Sequence, residues 1–447
     1  MMAGPSAPAD QPSPGLSRRI AVIGAGPAGL VAAYDLAQAG QRVVIYEAAP
    51  QVGGLAAGFK AAHWDWTLEK YYHHWFQGDR HMLGLIEELG WSDQVIFPRP
   101  LTVVFFDGKF QPLDSIPAAA RFTLQHFSLV DFVRFGCVGL YLKLTPRWQT
   151  LEHSTADAWM RKWVGPKVYE ALWKPLLIGK FGEENLDVVN MAWLWARIKA
   201  RTTRLGTFNG GFQVFMDKFA ARLCHLGVDI RLQTPVTLVR RTQAGLQVEA
   251  GASETFDAVI STSSPAFMAR LAPDLPAEYS ASLRDLRSMG AVVLILALDR
   301  QLTPFYWHNL PKEAGFPYLA LVEHTNFVGP EHFGGDHIIY LGDYLPPEHE
   351  HFRLSKEELL DRFLPSLSRF NPDFDRSWLK DAWLWKTTYA QPIPPVDHSR
   401  HIPPLRTPVP GLYFASMSQV YPWDRGTNFA IEIGRKAAAL ALEDFKT

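Results

Sequence analysis

The chain has 447 residues, of which 47% are hydrophobic, a composition typical of a folded protein and a length that favours two lobes over one core. With 44 basic and 45 acidic side chains, it has no overall field that would attract nucleic acid. The two cysteines, Cys137 and Cys224, exclude a disulfide scaffold and fit a reducing, cytoplasmic location.

The N-terminal segment, residues 1–17, is rich in Pro, Ala and Ser, and we predict that it forms a disordered tail. It lacks the basic start and apolar centre of a signal peptide. The later window closest to a membrane span, Leu129–Leu144, is interrupted by Asp131, Arg134 and Lys143. It therefore favours a buried or surface-lying amphipathic helix.

The first motif is the sequence RIAVIGAGPAGL. The apolar run Ile20–Ile23 predicts a buried strand, and Gly24, Gly26 and Gly29 follow in the spacing G-x-G-x-x-G. These glycines permit a tight turn, close approach of a pyrophosphate, and packing of the next helix on the strand. A second predicted strand ends at Glu47, whose carboxylate is placed to accept hydrogen bonds from a ribose. The whole unit predicts a dinucleotide site.

A glycine pair, Gly53-Gly54, follows in the sequence YEAAPQVGGLAAGF. It resembles the second signature of the flavoprotein superfamily that contains FAD-dependent amine oxidases, protoporphyrinogen oxidases and phytoene desaturases. In that superfamily the paired glycines let the backbone pass close to the diphosphate and ribityl chain of FAD. The commoner form has Arg after the pair, where this chain has Leu55.

Three later segments fit the same resemblance. A turn at Gly210-Gly211 starts a helix and a strand that return to the dinucleotide fold, and Val236 beyond them matches a residue on the adenine side. The segment FDAVISTSSP, residues 256–265, matches a loop that passes the FAD. Residues 410–442 predict a buried strand and a long helix, and the resemblance implies that this helix starts under the flavin.

The resemblance therefore implies FAD contacts from both ends of the chain. Ser416 and Met417 stand where many relatives have Gly and an acid. The expected cofactor contacts are Gly24, Gly26, Ala28, Gly29, Glu47, Gly53, Gly54, Leu55, Val236, Ser416, Gly426, Thr427 and Asn428.

The expected fold is α/β. An FAD-binding Rossmann-like domain of the GR2 type carries an α+β substrate-binding domain that is inserted in two segments. The first insertion is predicted to begin with a hairpin turned at Asp107-Gly108 and to continue as helices. The second is predicted to mix strands with one helix, which starts in a capping box of Ser355 and Glu358. The FAD-binding domain comprises residues 18–97, 204–265 and 389–447, and the substrate-binding domain comprises residues 98–203 and 266–388.

Candidate catalytic residues lie in three segments. The sequence LEKYYHHWFQGD, residues 68–79, resembles the His-containing segment of UDP-galactopyranose mutases, which implies that His74, or else His73, lies near the isoalloxazine. Tyr421 and Trp423 are expected to form part of an aromatic cage of the amine oxidase kind. His324 lies at the end of a predicted pocket-lining strand, residues 319–327.

Other polar residues have alternative interpretations. Arg425 either pairs with Asp424 or holds an anionic group of the substrate. By the resemblance, Lys386 is a candidate for holding a water near flavin N5. His349 and His351 have too few neighbouring ligands for a metal site, so we interpret their segment as a solvated loop.

These features indicate an FAD-dependent oxidoreductase that takes a hydride from a bulky or apolar small molecule. The alternatives are a flavin-dependent isomerase of the UDP-galactopyranose mutase type and a non-catalytic FAD-binding protein. The expected partner is a small-molecule substrate, with no nucleic acid. The apolar stripe within Phe127–Lys143 suggests peripheral contact with a membrane, and both a monomer and a homodimer remain open.

Overall fold

The computed structural model describes residues 17–446, and the tail predicted over residues 1–17 lies outside this range except for Ser17. The first of its two main sheets has five parallel strands. Strand sequences such as RIAVI and RVVIY are unbroken apolar runs, as strands buried on both faces require. The order across the sheet is Asp229–Arg231, Arg42–Tyr46, Arg19–Ile23, Ala258–Ser261 and Leu412–Phe414.

Both faces of the first sheet are covered. The helices Pro27–Gln38, Phe212–His225 and Thr427–Asp444 pack on one face. On the other face the core includes residues of two short helices, Pro265–Leu271 and Ala277–Asp285, although the sequence assigns residues 266–388 to the other domain. An antiparallel meander packs on that same face, with strands Leu238–Thr242, Gly245–Ala250 and Ala252–Phe256.

The second sheet has seven strands, drawn from both predicted insertions. They pair antiparallel except for Trp307–Asn309, which runs parallel to Thr102–Phe106. One face packs on the helix Lys356–Phe363, and the other faces the loop of residues 64–76. The order is Leu379–Pro392, Ser288–Leu298, His337–Leu345, Ala320–Glu323, Trp307–Asn309, Thr102–Phe106 and Lys109–Pro112.

A helical insertion lies between the hairpin and the return to the first sheet, and its helices share a core with the second sheet. Its helices are Ile116–His126, Leu129–Leu144, Ala156–Val164, Pro166–Val168, Lys174–Phe181 and Met191–Ala200, with a π-helical turn at Tyr169–Trp173. The remaining regular elements are the helix Arg80–Glu88 and the short strands Gly58–Phe59, Leu68–Glu69, Trp75–Phe76, Val95–Ile96 and Leu205–Phe208.

The strand predicted over residues 319–327 is wrong at its end. The observed strand stops at Glu323, and His324–Asn326 form a 3-10 turn. The amide nitrogen of Asn326 donates to the carbonyl oxygens of Thr303 and Phe305, at 2.8 and 2.9 Å. These bonds turn the chain out of the extended conformation, so His324 and Asn326 do not continue the alternation of the strand.

Candidate functional site

The first glycine loop closes tightly on the first sheet. Gly24 has φ +102° and donates its N–H to the carbonyl oxygen of Tyr46 at 2.8 Å. A Cβ on Gly29 would collide with the carbonyl oxygen of Gly24. Glycine is therefore required at the first and third motif positions for the turn and for helix packing.

Glu47 fixes the same loop from the end of the neighbouring strand. One carboxylate oxygen accepts the N–H of Ala25 at 2.7 Å, and the other accepts the N–H of Ala49 at 2.8 Å. Glu47 also lines a cleft of about 480 Å³. Each carboxylate oxygen retains a lone pair for a further donor on the cleft side.

The cleft is bounded on its far side by Val236. Within residues 17–446 neither the N–H nor the C=O of Val236 makes a hydrogen bond, so the backbone there is free to pair with a ligand. The cleft has the size of a small-molecule site and lies at the carboxyl end of the parallel strands. Its lining includes Gly24, Glu47, Val236, Thr237, Ser263 and Arg270.

The second glycine pair meets the first glycine loop directly. Gly53 donates its N–H to the carbonyl oxygen of Ala25 at 2.8 Å. Gly54 has φ +55°, and a Cβ on it would lie 3.2 Å from the Cα of Gly26. The two loops thus touch through backbone alone. Leu55 follows in a 3-10 turn and is half-buried, and Ala28 is half-buried in the first helix.

The C-terminal helix begins beside these loops, and its first side chains are engaged within the protein. Trp75 donates its indole N–H to the hydroxyl of Thr427 at 2.9 Å. The Asn428 amide oxygen accepts the N–H groups of His81 and Met82 at 2.9 and 3.1 Å. The backbone N–H groups of Thr427 and Asn428 form no hydrogen bond within residues 17–446, so they and the helix dipole remain available to a ligand.

Gly426 stands just before this helix, and Ser416 follows the edge strand of the same sheet. The N–H of Ser416 donates to the side-chain oxygen of Gln419 at 2.8 Å. All the predicted cofactor residues therefore lie at one edge of the first sheet or along the adjoining cleft. A dinucleotide site requires close backbone contacts at glycines, a cleft beside the acidic end of a strand, and a helix N-terminus with free N–H groups. All three features are present here.

The loop of residues 70–74 connects this edge to the second sheet. The ring of Tyr72 packs against Trp307 and Tyr340, with centroid distances of 4.9 and 5.9 Å. His73 donates from Nδ1 to the carbonyl oxygen of Tyr71 at 2.6 Å, whereas Nδ1 of His74 is buried without a hydrogen-bond partner in the described chain. Burial lowers the pKa of His73 to about 4 and that of His74 to about 3, so both imidazoles are neutral at physiological pH.

Tyr421 and Trp423 both pack against the helical insertion. The Tyr421 ring lies 5.3 Å from that of Trp148, and its hydroxyl donates to Glu152 at 3.0 Å. Trp423 lies between the rings of Trp195 and Phe429, at 5.3 and 5.6 Å. The two predicted cage residues therefore each have an aromatic neighbour, but they do not face one another.

A largely half-buried group of charged residues lies next to them, and sequence reasoning had found only part of it. Asp424 accepts hydrogen bonds from Arg197 at 2.5 Å and from the Trp193 indole at 3.1 Å. Burial raises the pKa of Asp424, but Arg197 and Arg425 outweigh it and hold the pKa below its ordinary value. The guanidinium of Arg425 donates to the Tyr344 hydroxyl, on the inner face of the second sheet.

Lys180 completes this group, and no motif in the sequence marks it as a site residue. Its ammonium lies 4.1 Å from the centre of the Tyr344 ring. Burial and the neighbouring Arg197 lower its pKa well below the ordinary value. A lysine in a helical pattern is normally solvated, so only the fold reveals that this one faces Tyr344.

The remaining candidates lie apart from the group. His324 is buried against Phe327, Phe333 and Tyr340, and burial lowers its pKa to about 3. Lys386 donates its ammonium to the carbonyl oxygens of Phe352 and Leu354, which occupies it near the outer face of the second sheet. Within residues 17–446 no group of three or more His, Cys, Asp or Glu side chains is arranged to hold a metal ion.

The parallel sheet with its glycine cradle, joined to a second sheet across an aromatic loop, defines an FAD-dependent oxidoreductase. The profile of the family described as flavin containing amine oxidoreductase matches residues 27–442. The chain belongs to this family, and its cofactor is FAD.

Solved structures show the same fold at low sequence identity. A protein from Exiguobacterium sp. 255-15 named as a protoporphyrinogen oxidase is 18% identical, with 96% of this chain and 99% of that one covered and a TM-score of 0.75. A reduced UDP-galactopyranose mutase is 15% identical, with 96% and 94% covered and a TM-score of 0.73.

Curated relatives match over shorter segments. A protein named as a probable zeta-carotene desaturase, from Synechococcus elongatus, is 34% identical over 107 residues, 23% of this chain and 22% of that protein. The β subunit of a formate dehydrogenase from Moorella thermoacetica matches over 40 residues and 6% of its length, at 58% identity. The chain thus spans less than a quarter of either relative. None of the helices within residues 17–446 is long and apolar enough to cross a membrane.

Proposed function

We propose that the protein oxidises a C–N, C–C or C–O single bond of a bulky, largely apolar small molecule to a double bond, with a hydride leaving from the carbon and a proton from the neighbouring atom. FAD, when bound, supplies the hydride acceptor at flavin N5. The chain's own part is to bind and orient the substrate and to keep water away from the reacting bond.

One observation carries this proposal: aromatic side chains line the boundary between the two sheets. Tyr72 of the loop and Trp307 of the second sheet are both partly exposed and meet edge to face, and the fully buried Tyr340 packs edge to face against Tyr72. Trp423 and Phe429 stack at 5.6 Å beside the start of the C-terminal helix. Such surfaces bind apolar or flat molecules through a large contact area at low cost in side-chain entropy.

The titration state of the site fits hydride removal without a strong base. His73 and His74 are neutral because burial lowers their pKa values to about 4 and about 3. Burial raises the pKa of Tyr72 well above its ordinary value, so its hydroxyl remains protonated. In this proposal these groups donate or accept single hydrogen bonds that position the substrate.

A second candidate function is flavin-dependent isomerisation of the UDP-galactopyranose mutase type. Lys180 and Arg425 beside Tyr344 favour it, because cations and a tyrosine are suited to hold the diphosphate of a sugar nucleotide. An isomerase would need reduced flavin and would return it reduced after each turnover.

The test is anaerobic stopped-flow spectroscopy on the purified yellow protein. One portion is kept oxidised, and another is reduced before mixing. Apolar amines, isoprenoids and porphyrinogens are mixed anaerobically with the oxidised form, and UDP-galactopyranose with the reduced form. Bleaching of the oxidised flavin by one of the apolar compounds supports the proposal. Conversion of the sugar nucleotide by reduced flavin only, without bleaching by any other compound, supports the isomerase. A colourless protein that fails to take up FAD would overturn both.

Turnover by variants checks the aromatic surface. Trp307→Ala is expected to raise KM by about tenfold, because it removes part of the surface that contacts the substrate while leaving FAD bound. Trp91→Ala is the matched control, since Trp91 packs against Phe208 and Phe215 of the other lobe. Equal effects of the two substitutions on KM would contradict the assigned surface.

We also propose that the protein acts in the cytoplasm on a small molecule alone. Both Cys137 and Cys224 are free and exposed, which is consistent with a reducing compartment. Fractionation of the cells that produce the protein, with antibody detection, tests this location.

A further inference from the structure

Lys180 is a buried cation without a counter-ion. Its side chain lies in the helix Lys174–Phe181, and the residue is 8% exposed. Within residues 17–446 its ammonium makes no ion pair and no hydrogen bond. The centre of the Tyr344 ring lies 4.1 Å away, and Asp424 and Asp343 act on the ammonium only from beyond ion-pair distance. A buried ammonium without an ion-pair partner is costly and its pKa is lowered, so a bound anion would favour the protonated lysine, and this position is expected to serve a ligand.

Arg425 adds a second cation on the other side of Tyr344. Its guanidinium donates to the Tyr344 hydroxyl, and it lies 3.7 Å from Asp424. That carboxylate is already engaged by Arg197, Trp193 and Gln391. One carboxylate therefore faces three cationic side chains, which leaves an excess of positive charge around Tyr344.

The other carboxylate that acts on Lys180, that of Asp343, offsets the excess only in part. Asp343 precedes Tyr344 on the same strand, so its side chain points to the opposite face of the sheet. Burial raises the pKa of Asp343 to about 7, and Lys312 lies 4.0 Å from it. The free positive charge thus faces the same inner side of the sheet as the aromatic surface.

We propose that Lys180, Arg425 and the Tyr344 hydroxyl bind an anionic group, a carboxylate or a phosphate, on an otherwise apolar substrate. The proposal rests on the proposed function and specifies its substrate class. Two donors from Arg425 and one from Lys180 suit the oxygens of either group. The aromatic surface beside them would hold the apolar part.

The experiment titrates FAD-loaded protein with decanoate, decyl phosphate, decanol and decylamine, and records the flavin difference spectrum. The two anions are expected to bind at least tenfold more tightly than decanol, and decylamine to bind least. The tighter of the two anions identifies the headgroup. Lys180→Met is expected to weaken binding of the anions about tenfold and to leave decanol unchanged. Lys174→Met is the control, because Lys174 lies on the same helix and pairs with Glu170 at 3.2 Å.

Equal affinities for decanoate and decanol would overturn the anion site, as would loss of FAD from the Lys180→Met variant, since the lysine would then serve the cofactor. If that variant does not accumulate, Tyr344→Phe removes one hydroxyl and keeps the ring. If the protein binds the anions tightly but no substrate reduces its flavin, the anion site is supported and the proposed oxidation is refuted.

A different observation concerns the outer surface of the helical insertion. The helix Leu129–Leu144 buries Asp131, Val138 and Leu142 and turns an apolar stripe outward. The helix Ile116–His126 adds two exposed apolar side chains to this surface. The exposed members, with their exposed fractions, are Ile116 (87%), Leu124 (54%), Leu129 (69%), Val130 (62%), Val133 (52%), Leu140 (61%), Tyr141 (46%) and Leu144 (68%).

The charges around this stripe are almost all positive. The exposed side chains of Arg121, Arg134 and Arg147 make no ion pair within residues 17–446. The one acid in the two helices, Asp131, is buried and bonded to Ser128. Trp163, 51% exposed, stands at the edge of the stripe next to Trp159, which stacks on Tyr141. An apolar stripe with basic flanks and aromatic edges is the composition of helices that lie in a lipid interface.

We infer that this face docks on the surface of a bilayer containing anionic lipid, with the helix Leu129–Leu144 in the plane of the membrane. Sixteen residues interrupted by Arg134 and Lys143 are too short and too charged to span it. Docking would bring the helical insertion, which shares its core with the second sheet, to the source of an apolar substrate.

Vesicle flotation tests this surface with phosphatidylcholine alone and with added phosphatidylglycerol. The protein is expected to float with the mixed vesicles, and less so at high salt. Val133→Gln combined with Leu140→Gln is expected to lower the bound fraction at least tenfold, and Arg121→Glu with Arg134→Glu to abolish the preference for phosphatidylglycerol. Leu232→Gln, at an exposed leucine of the other lobe, is the control. Absence of flotation would overturn the inference and indicate that this surface has no partner. Conversion of a dimer to a monomer by the glutamine variant would overturn it in favour of a second copy of the chain.

Discussion

At the scale of single residues, burial sets the charge of the histidines. His308 is fully buried beside the second sheet, where Nδ1 donates to the carbonyl oxygen of Leu321 at 3.2 Å and Nε2 accepts from the Thr303 hydroxyl at 3.1 Å. Burial lowers its pKa to about 4, although the bond to Leu321 acts in the opposite direction. The folded protein therefore requires the neutral ring.

His308 makes the folded protein less stable as the pH falls below about 6.5. In the unfolded chain His308 binds a proton near pH 6.5, and in the folded chain only near pH 4. The stabilisation that the neutral ring provides is therefore complete above pH 6.5 and is lost as the pH falls toward 4. The loss amounts to about 2 kcal/mol at pH 5. His308→Gln supplies a neutral donor and acceptor and is expected to reduce this dependence by about 2 kcal/mol in thermal unfolding measured from pH 7.5 to 5, while the share of His73, His74 and His324 remains. His225→Gln, at an exposed histidine, should leave the curve unchanged, and identical curves for all three proteins would contradict the assignment.

Asn428 illustrates a side chain with a use that differs from the one the sequence suggests. Its oxygen accepts the N–H groups of the second and third residues of the helix Arg80–Glu88, which is the role of an N-cap. Asp79, which stands at the cap position itself, instead accepts from the N–H of Phe76. Asn428→Ala is expected to cost about 1 kcal/mol of stability, whereas Asn428→Asp retains the acceptor. Melting temperatures check this, and an alanine variant as stable as the wild type would refute the capping role.

The sequence predicts glycine turns well, because they depend on the backbone, and predicts buried polar groups poorly, because they depend on the fold. Gly24, Gly29 and Gly54 could be identified because their steric requirement appears directly as a missing side chain. Lys180 could not, since its sequence neighbours do not differ from those of a solvated lysine. Its significance arises only when distant segments bring Tyr344 and Arg425 beside it.

At the scale of elements, two helices from opposite ends of the chain touch backbone to backbone. Gly434, in the C-terminal helix, lies against the carbonyl oxygen of Ala28 in the helix Pro27–Gln38, and a Cβ would collide with it. Because each helix supports part of the candidate FAD site, their separation fixes the distance between the glycine loop and Thr427.

Gly434→Ala is therefore expected to destabilise the protein by about 2 kcal/mol and to weaken FAD retention. Gly84→Ala is the matched control, because nothing lies within 4 Å of its Cβ and alanine favours a helix. Thermal unfolding and flavin absorbance after gel filtration measure the two effects. A Gly434→Ala variant that retains FAD and stability as well as Gly84→Ala would show that the helices can separate freely.

Predictability of elements follows their length and pattern. Four strands of the first sheet contain apolar runs between turn residues, so the sequence located them closely, whereas Asp229–Arg231 has charged residues at both ends. The three-residue strand Trp307–Asn309 is too short to show a period. The strand Leu379–Pro392 was missed because its half-buried residues mix Trp, Lys and Thr without clean alternation.

At the scale of the whole molecule, FAD is expected to act as a structural link. The cleft at Val236, the loops at Gly26 and Gly54 and the helix at Thr427 belong to separate stretches of the chain. A ligand that contacts all of them stabilises the folded state by about 2.7 kcal/mol at a concentration one hundred times its Kd. Apoprotein should therefore melt at a lower temperature, which rises as FAD is added. A melting temperature independent of FAD would contradict this link.

The edge strand Leu412–Phe414 also has a consequence for biosynthesis. It pairs with Ala258–Ser261, whose other neighbour is the first strand of the chain, Arg19–Ile23. A ribosome translates from the N-terminus, so the strand Ala258–Ser261 stays unpaired at this edge while residues 266–388 emerge and begin to fold. The nascent chain cannot complete the candidate cofactor site until the strand Leu412–Phe414 and the helix Thr427–Asp444 have been translated. During that interval its exposed apolar edge is a natural substrate for a chaperone.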